Sequence, residues 1–174
     1  MKICRARPSQ AKTLTALSIA SKRVWNYPKE YEAVWKAELT ITPAYIRDHL
    51  VLVAEETGTL CGYGSVVEVK EPFMAGKVPV HKGFWLEHLF VAPDRLGTGI
   101  GRKLVAALLE ECRRMEVQHL YLFAEPKAAG FYEKLGARYE GESPSSIEGR
   151  TTPLFCFDLT LQAAESAQRF PHPG

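Results

Sequence analysis

The chain has 174 residues, 46% of them apolar and 24% charged, an ordinary globular mix sized for one domain that excludes a disordered or fibrous protein. Lys and Arg number 22 against 20 Asp and Glu, a formal charge of +2, too balanced for a protein that lives on nucleic-acid phosphates. No apolar run approaches the ~18 residues that a membrane span needs, and Met1-Lys2-Ile3-Cys4-Arg5 does not open a signal peptide. Four cysteines, Cys4, Cys61, Cys112 and Cys156, stand singly and far apart. They are expected to be free, mostly buried thiols in a reducing cytoplasm. Neither they nor the five histidines form a ligand pattern, so no metal site is expected.

In chain order, residues 2–7 predict a strand. Ser9 predicts the cap of a helix running to about Trp25, with Leu14, Leu17, Val24 and Trp25 near one face. Asn26-Tyr27-Pro28 breaks that helix, and a second follows from Lys29 to about Leu39. Thr42-Pro43 reads as an N-cap with proline at the first helical position, opening a short helix to His49. Val51–Glu55 and Leu60 to about Val69 form a hairpin around Glu56-Thr57-Gly58-Thr59. Glu71–Lys82, rich in Pro and Gly, predicts a loop. Phe84–Val91, apolar on both faces, predicts a central strand. From Gly97 a helix carries Ile100, Leu104, Leu108, Cys112 and Met115 on one face and charges on the other. A strand at about His119–Ala124 comes next, then a short helix from Pro126 that ends at Gly136. Two last strands span about Ala137–Glu142 and Thr152–Leu161. Strand–helix–strand from 84 to 124 is a βαβ unit with parallel strands. The whole is an α/β (α+β) domain over 1–161, a mixed, mostly antiparallel sheet with helices on both faces. A poorly ordered tail is expected over 162–174.

Three alternating glycines, Gly97-Thr98-Gly99-Ile100-Gly101, leave a buried strand and open an amphipathic helix. Glycine lets the backbone turn tightly and approach a ligand. The first helical amides have no internal partner and carry the positive end of the helix dipole. Together they predict a phosphate or pyrophosphate site. The spacing is neither the GxGxxG of dinucleotide folds nor GxxxxGK[ST].

Leu89-Phe90-Val91-Ala92-Pro93 followed by Gly97-Thr98-Gly99-Ile100-Gly101-Arg102-Lys103-Leu104 resembles the acetyl-CoA signature of the GNAT superfamily of N-acyltransferases. Ala128-Ala129-Gly130-Phe131-Tyr132-Glu133-Lys134-Leu135-Gly136-Ala137 is similar to its second signature. The two stand in the family's order, and the layout matches over nearly the whole chain. Two slots depart from the pattern. Leu96 occupies a position often held by Gln or Arg, with Arg95 one place early, and Glu125 stands where Asn is common.

The resemblance implies an acetyl-CoA-dependent N-acetyltransferase. It implies that strands 84–91 and 119–124 splay to admit the pantetheine arm, held by the Phe90 and Val91 backbone. The Leu89 amide faces the thioester carbonyl, where an N–H stabilises a developing oxyanion. Leu96, Gly97, Thr98, Gly99, Ile100, Gly101 and Arg102 hold the pyrophosphate, and Glu125 and Phe131 line the cofactor. Tyr132 matches the proton donor to the departing thiolate, with core packing as the competing role. The amine acceptor must lose a proton, and Glu87 is the candidate base. Strict alternation puts it on a face with Trp85, Leu89 and Val91, where burial would raise its pKa. His88 falls on the opposite face with Phe84, Leu86 and Phe90, as a core histidine or an alternative base. Trp25, Tyr27 and Tyr31, at the helix break, are candidate walls of the acceptor pocket or else core residues. Arg150 is a candidate clamp for a substrate carboxylate or a solvated loop arginine. A small-molecule amine is preferred over a protein amine, with a homodimer left open. A non-catalytic acyl-CoA sensor and a general phosphate-ligand fold are the competing functions.

Overall fold

The computed structural model describes residues 1–160. The tail expected over 162–174 and the last residue of the final predicted strand, Leu161, lie outside the described residues. In chain order the strands are β1 Lys2–Arg5, β2 Leu50–Glu56, β3 Thr59–Val69, β4 Phe73–Ala75, β5 Val78–Val80, β6 Gly83–Val91, β7 His119–Phe123, β8 Arg138–Pro144 and β9 Thr151–Asp158. The α-helices are α1 Ala11–Arg23, α2 Glu30–Leu39, α3 Pro43–Asp48, α4 Ile100–Arg114 and α5 Ala129–Lys134. Seven strands form one sheet in the order β1-β2-β3-β6-β7-β9-β8. Every pairing in it is antiparallel except β6 with β7, so the mixed sheet and its βαβ unit are as the sequence predicts.

Local chemistry sets the element ends. The Thr42 hydroxyl accepts the Tyr45 amide at 3.0 Å and Pro43 starts α3. Thr57 and Gly58, both with positive φ, close the β2–β3 hairpin in two residues. The cap predicted at Ser9 is not used. A 3₁₀ turn over Pro8–Gln10 leads into α1, and the Gln10 side chain accepts the Arg7 amide at 2.8 Å. The loop predicted over 71–82 contains a small separate hairpin instead, β4 with β5. Its prolines and glycine hide two three-residue strands from a reading by composition.

α4 and α5 cover one face of the sheet. There Leu104, Leu108, Leu120 and Phe155 are fully buried, each such side chain contributing about 1.5–3 kcal/mol by leaving water. The apolar face of α4 also takes in Val105 and Leu109, whereas Met115 lies past the helix end and is exposed. α1 and α3 cover the other face through Leu14, Leu17, Ile46, Val53 and Tyr63. Val24, predicted on the buried face of α1, is exposed, because the helix unwinds at Arg23.

Two irregularities shape the centre. β6 and β7 pair at only two positions, Phe84 with Leu120 and Trp85 with Tyr121. From Leu86 onward the two strands diverge, and the edge of β6 facing β7 has no strand partner. On its other side β6 pairs with β3 as far as Val91 with Gly62, with a break in register: Ser65 faces His88 but Val66 faces Leu86. Glu87 is the extra residue of a β-bulge.

Candidate active site

The bulge overturns the strand alternation expected for β6. Phe84, Leu86, Leu89 and Val91 all face the α4 side. Glu87 and His88 both face α1–α3, on the side of Phe90. Glu87 therefore does not share a face with Leu89 and Val91. It is also exposed rather than buried. Its carboxylate accepts a hydrogen bond from the Tyr45 hydroxyl, which lies 2.8 Å from Ser65 Oγ. Burial first, then the Glu87 charge, push the Tyr45 phenol far above its ordinary value, so it stays protonated and donates.

His88 is buried. Its Nε2 lies 3.0 Å from the Glu38 carbonyl oxygen, which can only accept, so that nitrogen carries the proton. Burial holds the imidazole below its ordinary 6.5 despite the opposing Glu87 charge. The unfolded chain therefore binds more protons as pH falls below about 6.5, and the stability present above that value is lost going down. Thermal unfolding followed from about pH 8 to pH 5 is expected to show Tm falling below 6.5, with the slope reduced in His88→Asn. An equal slope in the variant would exclude His88 as its source.

The glycine loop has the geometry its sequence predicts. Gly97 and Gly99 have φ of +75° and +84°, and a side chain at either would meet nothing within 4 Å. Their requirement for glycine is thus one of backbone conformation. The first backbone bond of α4 runs from the Lys103 amide to the Gly99 carbonyl at 3.1 Å, so the amides of Ile100, Gly101 and Arg102 point outward unpaired. No acidic residue occupies the first turn. The Phe131 ring packs over Gly101, where a Cβ would sit 3.3 Å from its Cζ; the two signature segments touch there. Leu96 is exposed, Thr98 spends its hydroxyl on the Arg95 carbonyl at 2.6 Å, and Arg95 is turned to Glu56 at 2.9 Å. The loop thus offers backbone amides and Arg102 to an anion.

Tyr132 lies in the core on the α4 side, edge-on to Phe131 at 5.1 Å. Burial raises its phenol well above the ordinary value of 10. No described residue bonds its hydroxyl.

Around the end of β7 a polar cluster joins distant segments. Glu125 accepts from the Tyr27 hydroxyl and from Lys22 Nζ at 3.4 Å. Arg150 Nη2 donates to the same Tyr27 hydroxyl at 3.1 Å. Glu125, expected on the cofactor, is in this way committed to the α1–α2 turn. Tyr27 and Tyr31 stand 6.0 Å apart in an aromatic wall whose third member is Trp35, edge-on to both at 5.3 and 5.4 Å. Trp25 is not part of it and reaches the cluster only through its carbonyl, 3.4 Å from Lys127 Nζ. A cavity of about 320 Å³ opens beside this wall, lined by Ile19, Lys22, Tyr27, Trp35 and Leu39 among others. Glu38, which the sequence does not single out, stands nearby on α2. Its carboxyl is held above the usual range chiefly by burial, with Lys22 and a bond to Ser146 opposing and Glu87 adding; the residue as a whole is exposed, so water moderates the effect. Tyr31, Trp35 and Glu38 stand at i, i+4 and i+7 on α2, a spacing that marks one helix face.

Residues 16–137 match the Acetyltransferase (GNAT) family, a span that takes in the glycine loop, β6, β7 and the second signature. Glucosamine 6-phosphate N-acetyltransferase 1 of Oryza sativa subsp. japonica is 33% identical over 112 residues, 63% of this chain and 65% of the rice protein. The chain spans less than two thirds of the length of the curated relatives it matches. The fold is similar to that of a GCN5-related N-acetyltransferase from Rhodopseudomonas palustris, with a TM-score of 0.70, 20% identity and coverage of 90% of this chain and 94% of that one. It is also similar to the PaiA N-acetyltransferase of Thermoplasma acidophilum solved with coenzyme A, with a TM-score of 0.68, 17% identity and coverage of 90% and 98%. With both signatures lying on the elements that flank its opened β6–β7 pair, this chain belongs to the GNAT acetyltransferase family.

Proposed function

We propose that the protein transfers the acetyl group of acetyl-CoA to a primary amine of a small molecule by direct attack. The observation that carries this is the wedge between β6 and β7, paired at only two positions, with an outward-facing helix N-terminus beside its open end. The wedge leaves room for an extended arm along the free edge of β6, and the amides of residues 97–102 suit its pyrophosphate. The coenzyme A complex of the T. acidophilum neighbour and the amino-sugar phosphate in the rice relative's name support the same reading. Leu96, Gly97, Thr98, Gly99, Ile100, Gly101 and Arg102 would hold the charged end, Phe90 and Val91 the arm, and Phe131 the neighbouring wall.

In this reading the amine nitrogen bonds the acetyl carbon as the carbon–sulfur bond breaks. Glu87 accepts the amine's proton, directly or through water, from the α1–α3 side. The Leu89 amide receives the charge that develops on the carbonyl oxygen. Tyr132, from the α4 side, gives its proton to the departing thiolate. Tyr27 and Arg150 belong to the acceptor's surroundings, and free thiols such as Cys61 and Cys112 suit the reducing cytoplasm.

The test is release of free thiol from acetyl-CoA against an amine panel, run beside calorimetry of acetyl-CoA binding. Amine-dependent release is expected, and Glu87→Gln should lower kcat/KM by about 100-fold or more while leaving acetyl-CoA affinity within a few-fold. Binding without release on any amine would make the protein a sensor instead.

A further inference from the structure

Arg150 precedes β9 and is half-buried. Its guanidinium lies over the Tyr27 ring at 4.6 Å and over the Tyr31 ring at 5.8 Å. One of its five N–H donors is spent on the Tyr27 hydroxyl. It forms no ion pair among the described residues. Lys127 is exposed, with Nζ 5.1 Å from the same Tyr27 ring and a single bond, to the Trp25 carbonyl. Glu125 makes no direct ion pair with either of them; its carboxylate bonds Lys22 and the Tyr27 hydroxyl, which also accepts from Arg150. Two cations thus converge on one aromatic ring, neither in a direct ion pair among the described residues. The two rings and the Tyr27 hydroxyl hold the Arg150 guanidinium and leave its remaining donors free, which suits a carboxylate or phosphate.

The opposite end of the same region carries the other sign. Glu87 projects from the bulge, and Glu38 interacts with both Glu87 and Lys22, so it bridges the acidic end and the cationic cluster. A ligand lying across the region meets carboxylates at one end and an aromatic-backed guanidinium at the other.

We propose that Arg150 and Lys127 form an anion subsite of the acceptor pocket, and that the acceptor is a small zwitterion: a primary amine that also carries a carboxylate or a phosphate ester. This rests on the transferase reading above and names its substrate class. The amine end lies toward Glu87, and the anionic end is held over Tyr27.

The test is calorimetric binding to the coenzyme A-loaded protein of matched probes that differ by the anion alone. Glucosamine 6-phosphate against glucosamine reports on phosphate; tyrosine against tyramine reports on carboxylate. In at least one pair the anionic member is expected to bind tenfold or more tightly, with the preference weakening at high salt. In Arg150→Ala that preference should fall to threefold or less. Lys127→Ala should reduce it in part, and Arg150→Lys, which keeps the charge but loses the fork, should restore it in part, with circular dichroism confirming that each variant is folded. Equal binding of both members of each pair, no binding of either, or a preference that survives in Arg150→Ala and Lys127→Ala would overturn the subsite. Thiol release from acetyl-CoA with the same probes separates the two readings. Arg150-dependent binding without release defeats the transferase and keeps the subsite, while release with neutral amines and no anion preference does the reverse.

Discussion

Tyr132→Phe is expected to lower kcat about 100-fold and to leave acetyl-CoA affinity and Tm nearly unchanged. The substitution removes one oxygen and keeps the ring, which packs against Phe131 at 5.1 Å and Phe155 at 6.4 Å. No described residue bonds the hydroxyl, so its loss orphans no protein partner and little stability should go with it. If the side chain served only to fill the core, the variant would work as well as the parent. If it supplies the proton that leaves with the thiol, the loss follows the range of general acid catalysis, about 10²–10⁴-fold. Burial raises this phenol, so it remains protonated through the neutral range, and its own ionisation should not shape the rate profile below about pH 10. Stopped-flow thiol release at saturating acetyl-CoA decides between the two. A kcat within twofold of the parent would remove Tyr132 from the chemistry.

Arg102→Glu is expected to move stability and cofactor binding in opposite directions. Arg102 is the third residue of α4, exposed, in a first turn with no acid. A carboxylate there complements the helix dipole and contributes about 0.3–1 kcal/mol, a Tm increase of about 1–4 °C for a domain of this size. The same charge faces the anion that the outward amides are proposed to hold. Reversing one unit charge about 6 Å from a doubly charged group costs about 2–3 kcal/mol, on the order of 100-fold in Kd. The penalty should shrink as salt is raised, since the pair is solvent-accessible. Calorimetry with coenzyme A and a thermal melt on the same sample check both signs. Unchanged affinity would place the pyrophosphate away from this turn.

What the sequence settles by itself is set by neighbours a few residues apart. The cap at Thr42, the tight turn at Thr57-Gly58, the period of α4 from Ile100 to Cys112 and the turn at Gly97–Gly99 all depend on short-range sterics and hydrogen bonding, and each stands where the residues place it. The strand–helix–strand order adds the parallel β6–β7 pair, and the two signatures add the family. Tertiary structure decides what depends on register and long-range contact. One extra residue at Glu87 shifts a period of two by one step, so every side chain before the bulge changes face relative to those after it, and no pattern of apolar residues marks where that step falls. The meeting of Tyr27 with Glu125 and Arg150 joins segments about a hundred residues apart, and Trp35 rather than Trp25 completes their aromatic wall. Those partners are selected by how α1, α2 and the β8–β9 connection pack across the end of the sheet, which local periodicity does not encode.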